Sequence, residues 1–105
     1  MKNKVFALLG FAQKSGCLYS GETSVKTALR IGKAKLILIA EDLPMKKKAH
    51  LIHECYKLGI NYYISGSKSE YGEILGMPDR GIIAVTDKQM SIAIINIFNN
   101  NDLIE

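Results

Sequence analysis

Val5, Leu8, Leu9 and Ala12 recur at steps of three and four, which predicts an amphipathic helix over about residues 3–14. Ser15-Gly16 ends it, with Gly16 suited to a left-handed C-cap. Leu18-Tyr19-Ser20 reads as a short extended piece. Ser20 or Gly21 then caps a second helix, in which Val25, Ala28 and Leu29 face inward and Ile31 is a further inward candidate. Gly32 stops that helix.

From Lys35 to Ala40 the pattern changes from helical spacing to a continuous aliphatic run, as expected of a strand buried on both faces. Leu43-Pro44 breaks the chain, and a third helix over Met45–Lys57 places Leu51, Ile52 and Cys55 on its apolar side, with Gly59 at its end. A strand over Ile60–Ile64 and a Ser65-Gly66-Ser67 turn follow. Ser67 or Ser69 caps a short helix through Leu75, closed by Gly76. Gly81–Thr86 reads as the last strand and Lys88–Phe98 as the last helix, ahead of a polar tail from about Asn99. Strands alternating with helices predict the α/β class: a three-layer α/β/α sandwich around a small, mostly four-stranded mixed sheet, in one domain spanning residues 1–105.

Composition narrows the classes. A chain of 105 residues with 48% hydrophobic and 23% charged residues is that of an ordinary folded domain. Apolar runs such as Leu36–Ala40 are far too short to span a bilayer. The Met1–Leu9 segment faintly resembles a signal peptide, but Gln13 and Lys14 follow within the same helical spacing, so a first helix of the mature chain is expected. Cys17 and Cys55, far apart in sequence, read as reduced thiols of a cytoplasmic protein. The net charge of +4 is unevenly spread: residues 1–48 carry ten basic and three acidic groups, residues 49–105 four basic and seven acidic. That asymmetry points to an anionic partner, although lysines also solvate helix surfaces.

Five clusters carry candidate chemistry. Gly21-Glu22-Thr23-Ser24-Val25-Lys26-Thr27 sets a helix start, hydroxyls and a lysine together, which suits an anion or an ordinary capped helix. Its spacing is not that of a phosphate-binding GxxxxGK[ST] loop. Lys26, Arg30 and Lys33 follow at steps of four and three and could track phosphates, or simply face solvent. Lys46-Lys47-Lys48 opens the third helix against its dipole, which suggests a purpose outside helix stability. His50 and His53 lack the i, i+4 spacing of a zinc helix, so a surface pair is expected and no metal site. Glu41-Asp42, at the end of a buried strand, is expected to bond loop amides rather than perform acid–base chemistry, and one of Tyr62-Tyr63 should face inward.

These residues together resemble a known family. Gly21, the Gly32–Asp42 segment, Ser67-Lys68-Ser69-Glu70-Tyr71-Gly72, Gly76 and Ile82–Asp87 resemble the kink-turn RNA-binding ("L-seven-Ae") family of ribosomal and small-nucleolar-ribonucleoprotein proteins. Leu8–Gly16 is especially similar to its bacterial YlxQ-like branch. The resemblance implies an α/β/α sandwich that binds structured RNA, with no catalytic residues and no cofactor. Family members read sheared G·A pairs through Gly-x-Asn-Glu-x-x-Lys at the helix start. Here the three reading positions fall on Thr23, Ser24 and Thr27, and the nearest lysine, Lys26, is one position early. The family's second contact region corresponds to residues 77–82, where Met77, Pro78, Gly81 and Ile82 would pack on RNA and Arg80 would meet a phosphate, with Asp79 opposing it.

The expected surface therefore comprises Gly21, Glu22, Thr23, Ser24, Lys26, Thr27, Arg30, Lys33, Glu41, Asp42, Met77, Pro78, Arg80, Gly81 and Ile82. The expected function is non-enzymatic binding of kink-turn or ribosomal RNA by a monomer, with ribosomal or translation-associated proteins as further partners and no membrane. The alternative is a protein-interaction module that keeps the fold and binds RNA weakly; an enzyme ranks third.

Overall fold

The structure, a computed structural model, describes residues 2–100, and of residues 2 and 3 only the backbone course. The expected polar tail past Asn100 lies outside the described residues.

Two strands form the centre, β2 (Leu36–Ile39) and β4 (Ile82–Val85), and every residue of both is buried. They pair antiparallel, with Leu36 opposite Val85 and Ile39 opposite Ile82. Strand period then sorts their side chains by face. Leu36, Leu38, Ile83 and Val85 pack on α1 (Lys2–Lys14), α4 (Lys68–Leu75) and α5 (Lys88–Asn99). Ile37, Ile39, Ile82 and Ala84 pack on α2 (Glu22–Arg30) and α3 (Met45–Leu58). The result is the expected three-layer α/β/α sandwich. Its sheet is mixed: the order is β1-β4-β2-β3, with β1 (Leu18–Ser20) antiparallel to β4 and β3 (Asn61–Ile64) parallel to β2.

Element limits differ from the expected ones by about a residue, as is usual at element ends. One expectation fails outright. Ile31 is not inward but 51% exposed, since it lies past the last turn of α2 as the C-cap. Val25, Ala28 and Leu29 alone fill that interface. β3 also differs from the central strands: it is an edge, and Tyr62 and Ile64 stay largely exposed. Tyr63 points to the opposite layer, where it stacks on Phe98 at 4.2 Å and donates a hydrogen bond to Asn99.

α4 is fixed from both ends. Ser67, not Ser69, forms its capping box with Glu70. Tyr71 is buried against the edge of Phe6, and its hydroxyl donates to the Ser65 carbonyl. Burial raises the Tyr71 hydroxyl well above the usual range, so it remains a neutral donor. Among the described residues, no helix is long and apolar enough to cross a membrane.

Candidate nucleic-acid interface

The loops at one end of the sheet are tied to each other by backbone bonds. Gly21 N–H donates to Ile82 O at 3.0 Å, Ala40 N–H to Gly81 O at 2.8 Å, and Glu41 N–H to Gly66 O at 2.8 Å. Asp42 accepts from the first amide of α4, Lys68 N–H, at 2.9 Å, and Lys68 O accepts from Arg80 N–H at 3.1 Å. The start of α2, the 41–42 turn and residues 77–82 thus form one continuous rim. The expected carboxylate bonding holds for Asp42 alone of the pair, whereas Glu41 bonds through its backbone, its carbonyl accepting from Lys48 Nζ of α3 at 2.9 Å.

At the start of α2, Gly21 is the N-cap with φ +91, and no side chain caps the first turn. The positive φ favours glycine there. Arg80 passes beside this glycine, its Cδ and Nε 3.9 Å from where a Cβ on Gly21 would stand, an ordinary contact distance. The Arg80 guanidinium is held by two neutral oxygens, Ser20 Oγ and Asp79 O, both at 3.3 Å. Among the described residues it meets no carboxylate. A small cleft beside it is lined by Tyr19, Ser24 and Met77, with Leu18 and Ser20 completing its wall.

The loop bearing Arg80 is seated on α4. Gly72, in mid-helix, faces the backbone of that loop so closely that a Cβ would stand 2.8 Å from Pro78 O and 2.9 Å from Met77 O. Only glycine allows the approach, which explains the Tyr71-Gly72 step noted in the sequence.

On its other side, the start of α2 faces α3 across a groove of about 550 Å³ whose floor is Leu51 and Ile82. Lys26, Lys46, Lys47 and His50 line its walls. Glu22 crosses the groove mouth: Oε2 meets Lys26 Nζ at 3.2 Å and Oε1 meets Lys47 Nζ at 3.3 Å. Hydrogen bonds from Lys26 and then Lys47 hold the Glu22 carboxyl below the usual carboxylate range. The groove continues past Lys26 and His50 toward Arg30, Glu54 and Leu58.

The sequence-derived surface is therefore brought together in part. Gly21, Glu22, Thr23, Ser24 and Lys26 lie at the rim with Glu41, Asp42, Met77, Pro78, Arg80, Gly81 and Ile82. The Thr27 hydroxyl donates to Thr23 O at 3.0 Å within the helix. Arg30 stands at the far end of α2, about 13 Å from its start at 1.5 Å per residue. Lys33 lies beyond Gly32, before β2 begins at Leu36, and so at the end of β2 opposite the 41–42 turn. Lys47 joins the rim although it stood outside the expected surface. Its signal was the lysine run against the α3 dipole. His50 and His53 are exposed while Cys55 is fully buried beneath α3, so the three do not converge. Burial, then the neighbouring Glu54 charge, raises the Cys55 thiol to about 11.

Comparison with known proteins agrees with this geometry. The family described as the ribosomal protein L7Ae/L30e/S12e/Gadd45 family matches residues 3–102. The chain is 29% identical over 94 residues to the RNA-binding protein YlxQ of Bacillus subtilis (strain 168), covering 90% of this chain and 94% of that one. It is 33% identical over 86 residues to the large ribosomal subunit protein eL8 of Cenarchaeum symbiosum (strain A), covering 81% and 68% respectively. The Giardia lamblia 15.5kD RNA binding protein shares the fold, with a TM-score of 0.80 over 99% of this chain and 89% of that one at 19% identity. The chain belongs to the ribosomal protein L7Ae/L30e/S12e/Gadd45 family.

Proposed function

We propose that this chain binds structured RNA, in association with the ribosome or with translation, and performs no catalysis. The observation that carries the reading is the rim itself, where Arg80 lies across Gly21 with its charge unmatched by any carboxylate among the described residues. An arginine fork beside an uncapped helix start suits phosphate oxygens. The names of two relatives, an RNA-binding protein and a ribosomal subunit protein, support the same reading. Phosphate contacts then supply most of the affinity, and binding falls steeply with salt.

We also infer a kink-turn as the RNA form, with recognition looser than in family members that carry Asn, Glu and Lys at the reading positions. Thr23 and Ser24 are short and uncharged, and the Thr27 hydroxyl is already bonded. The protein acts in this reading as a cytoplasmic monomer. Gel-shift titration against a kink-turn RNA and a plain duplex of equal length tests it. Tighter binding to the kink-turn is expected; equal, weak binding to both removes kink-turn selectivity, and no retention of either removes RNA binding.

A second reading, a protein-interaction module, is favoured by one surface away from the rim. Tyr56 on α3 is 85% exposed and lines a cleft with Tyr62 of the β3 edge. Charge reversal at Arg80 separates the two, because it weakens RNA retention at the rim and spares an apolar protein contact.

A further inference from the structure

We propose that Glu22 is an internal substitute for an RNA phosphate, so that RNA engages Lys26 and Lys47 by displacing the Glu22 carboxylate from between them. The inference deepens the RNA-binding reading and rests on it. Its basis is the bridging geometry. One carboxylate offers a different oxygen to each of two ammonium groups, at 3.2 and 3.3 Å, and the two lysines come from different helices. A phosphodiester carries the same single negative charge and also has two non-bridging oxygens. It can therefore accept from both lysines in the same manner.

The exchange is mechanically accessible. The side chains of Glu22, Lys26 and Lys47 are 43%, 51% and 53% exposed, so the carboxylate can swing away without disturbing the core. The groove beneath is floored by Leu51 and Ile82, which keeps the lysine stems supported when their partner leaves. Lysines that trade one anion for another add less to affinity than unpaired lysines do. The released carboxylate also remains near the incoming phosphates and repels them. Glu22 thus limits how much nonspecific RNA affinity this face supplies.

A purely structural Glu22 makes a different prediction. An acidic residue in the first turn of α2, with Lys26 one turn on, supports the helix in its own right. In that case Glu22→Gln lowers thermal stability slightly and leaves RNA affinity unchanged or reduced.

The test is equilibrium binding of a structured RNA at several salt concentrations by the wild type, Glu22→Gln, the Lys26→Gln/Lys47→Gln pair and the triple variant, with thermal midpoints measured alongside. Glu22→Gln is expected to bind about three- to tenfold tighter at low salt. Its plot of log affinity against log salt should steepen by about one to two units. The gain should vanish when both lysines are absent. Equal or weaker binding by Glu22→Gln, or a gain that survives loss of both lysines, overturns the proposal. If the wild type binds no RNA, the RNA reading fails separately, and the exchange is then read with inorganic pyrophosphate on the ¹³C resonance of the Glu22 carboxyl. A saturable shift that is absent without both lysines supports the displacement, and an unmoved resonance overturns it.

Discussion

The two flanks of the α2 start hold cations in opposite electrostatic conditions. On the flank facing β1, the Arg80 guanidinium bonds only neutral oxygens. On the flank facing α3, Lys26 and Lys47 share the Glu22 carboxylate. The difference teaches that a cation's capacity to bind an anion depends on what already holds it. By count the first 48 residues are the basic half, yet Arg80, which meets no carboxylate among the described residues, comes from the acidic half. Exposed ion pairs add little to the stability of a fold, so the Glu22 cluster matters less to folding than to the availability of its lysines.

The comparison breaks most completely if the Arg80 flank loses its seat. Gly72→Val puts side-chain atoms where Met77 O and Pro78 O now stand. Overpacking of this kind costs about 1–3 kcal/mol of stability, read by chemical denaturation. RNA affinity is expected to fall more than tenfold, because the 77–80 loop must move and carries Arg80 with it. Retained affinity in Gly72→Val would mean that the Arg80 flank contributes little.

A milder substitution sharpens the contrast between the flanks. Arg80→Gln is expected to weaken RNA binding about tenfold, the loss of one charge-assisted contact. Arg80→Lys should recover only part of that, since an ammonium lacks the flat fork that lies over Gly21. Lys26→Gln should cost about twofold, because Glu22 remains to pair with Lys47 and the cation removed was already neutralised. Parallel titrations of the three variants check the order, and equal losses at Arg80 and Lys26 would erase the distinction between the flanks.

Much of the fold was legible because β2 and β4 are buried on both faces and so read as unbroken aliphatic runs. The helix ends at Gly59 and Gly76 were equally plain. Ile31 was misplaced because helical spacing continues past the residue where the chain actually turns. The exposed edge of β3 was hidden as well, since strand order depends on contacts far apart in sequence. The same limit governs the site. Asp42 could be assigned to amide bonding because no nucleophile or metal-ligand set accompanies it, and its carboxylate does hold the first amide of α4. The approach of Arg80 to Gly21 and of Lys47 to Glu22 depends on packing that no local pattern encodes. Lys33 continues the basic spacing in sequence, but Gly32 ends α2 before it, and the chain then carries it to the end of β2 opposite the 41–42 turn.

The smallest expected effect concerns the reading positions between the two flanks. By the resemblance Thr27 falls at the place of the family's lysine, and its hydroxyl is bonded to Thr23 O inside α2. Valine matches threonine in shape and lacks only that back-bond. Thr27→Val should therefore change stability by no more than about 0.5 kcal/mol and RNA affinity by no more than about twofold. Gel-shift titration with thermal melting checks both. A loss of tenfold or more would show that the hydroxyl leaves the helix backbone to reach RNA. In that event base reading at the α2 start would persist in this chain through threonine, and the two cationic flanks would be accessory to it.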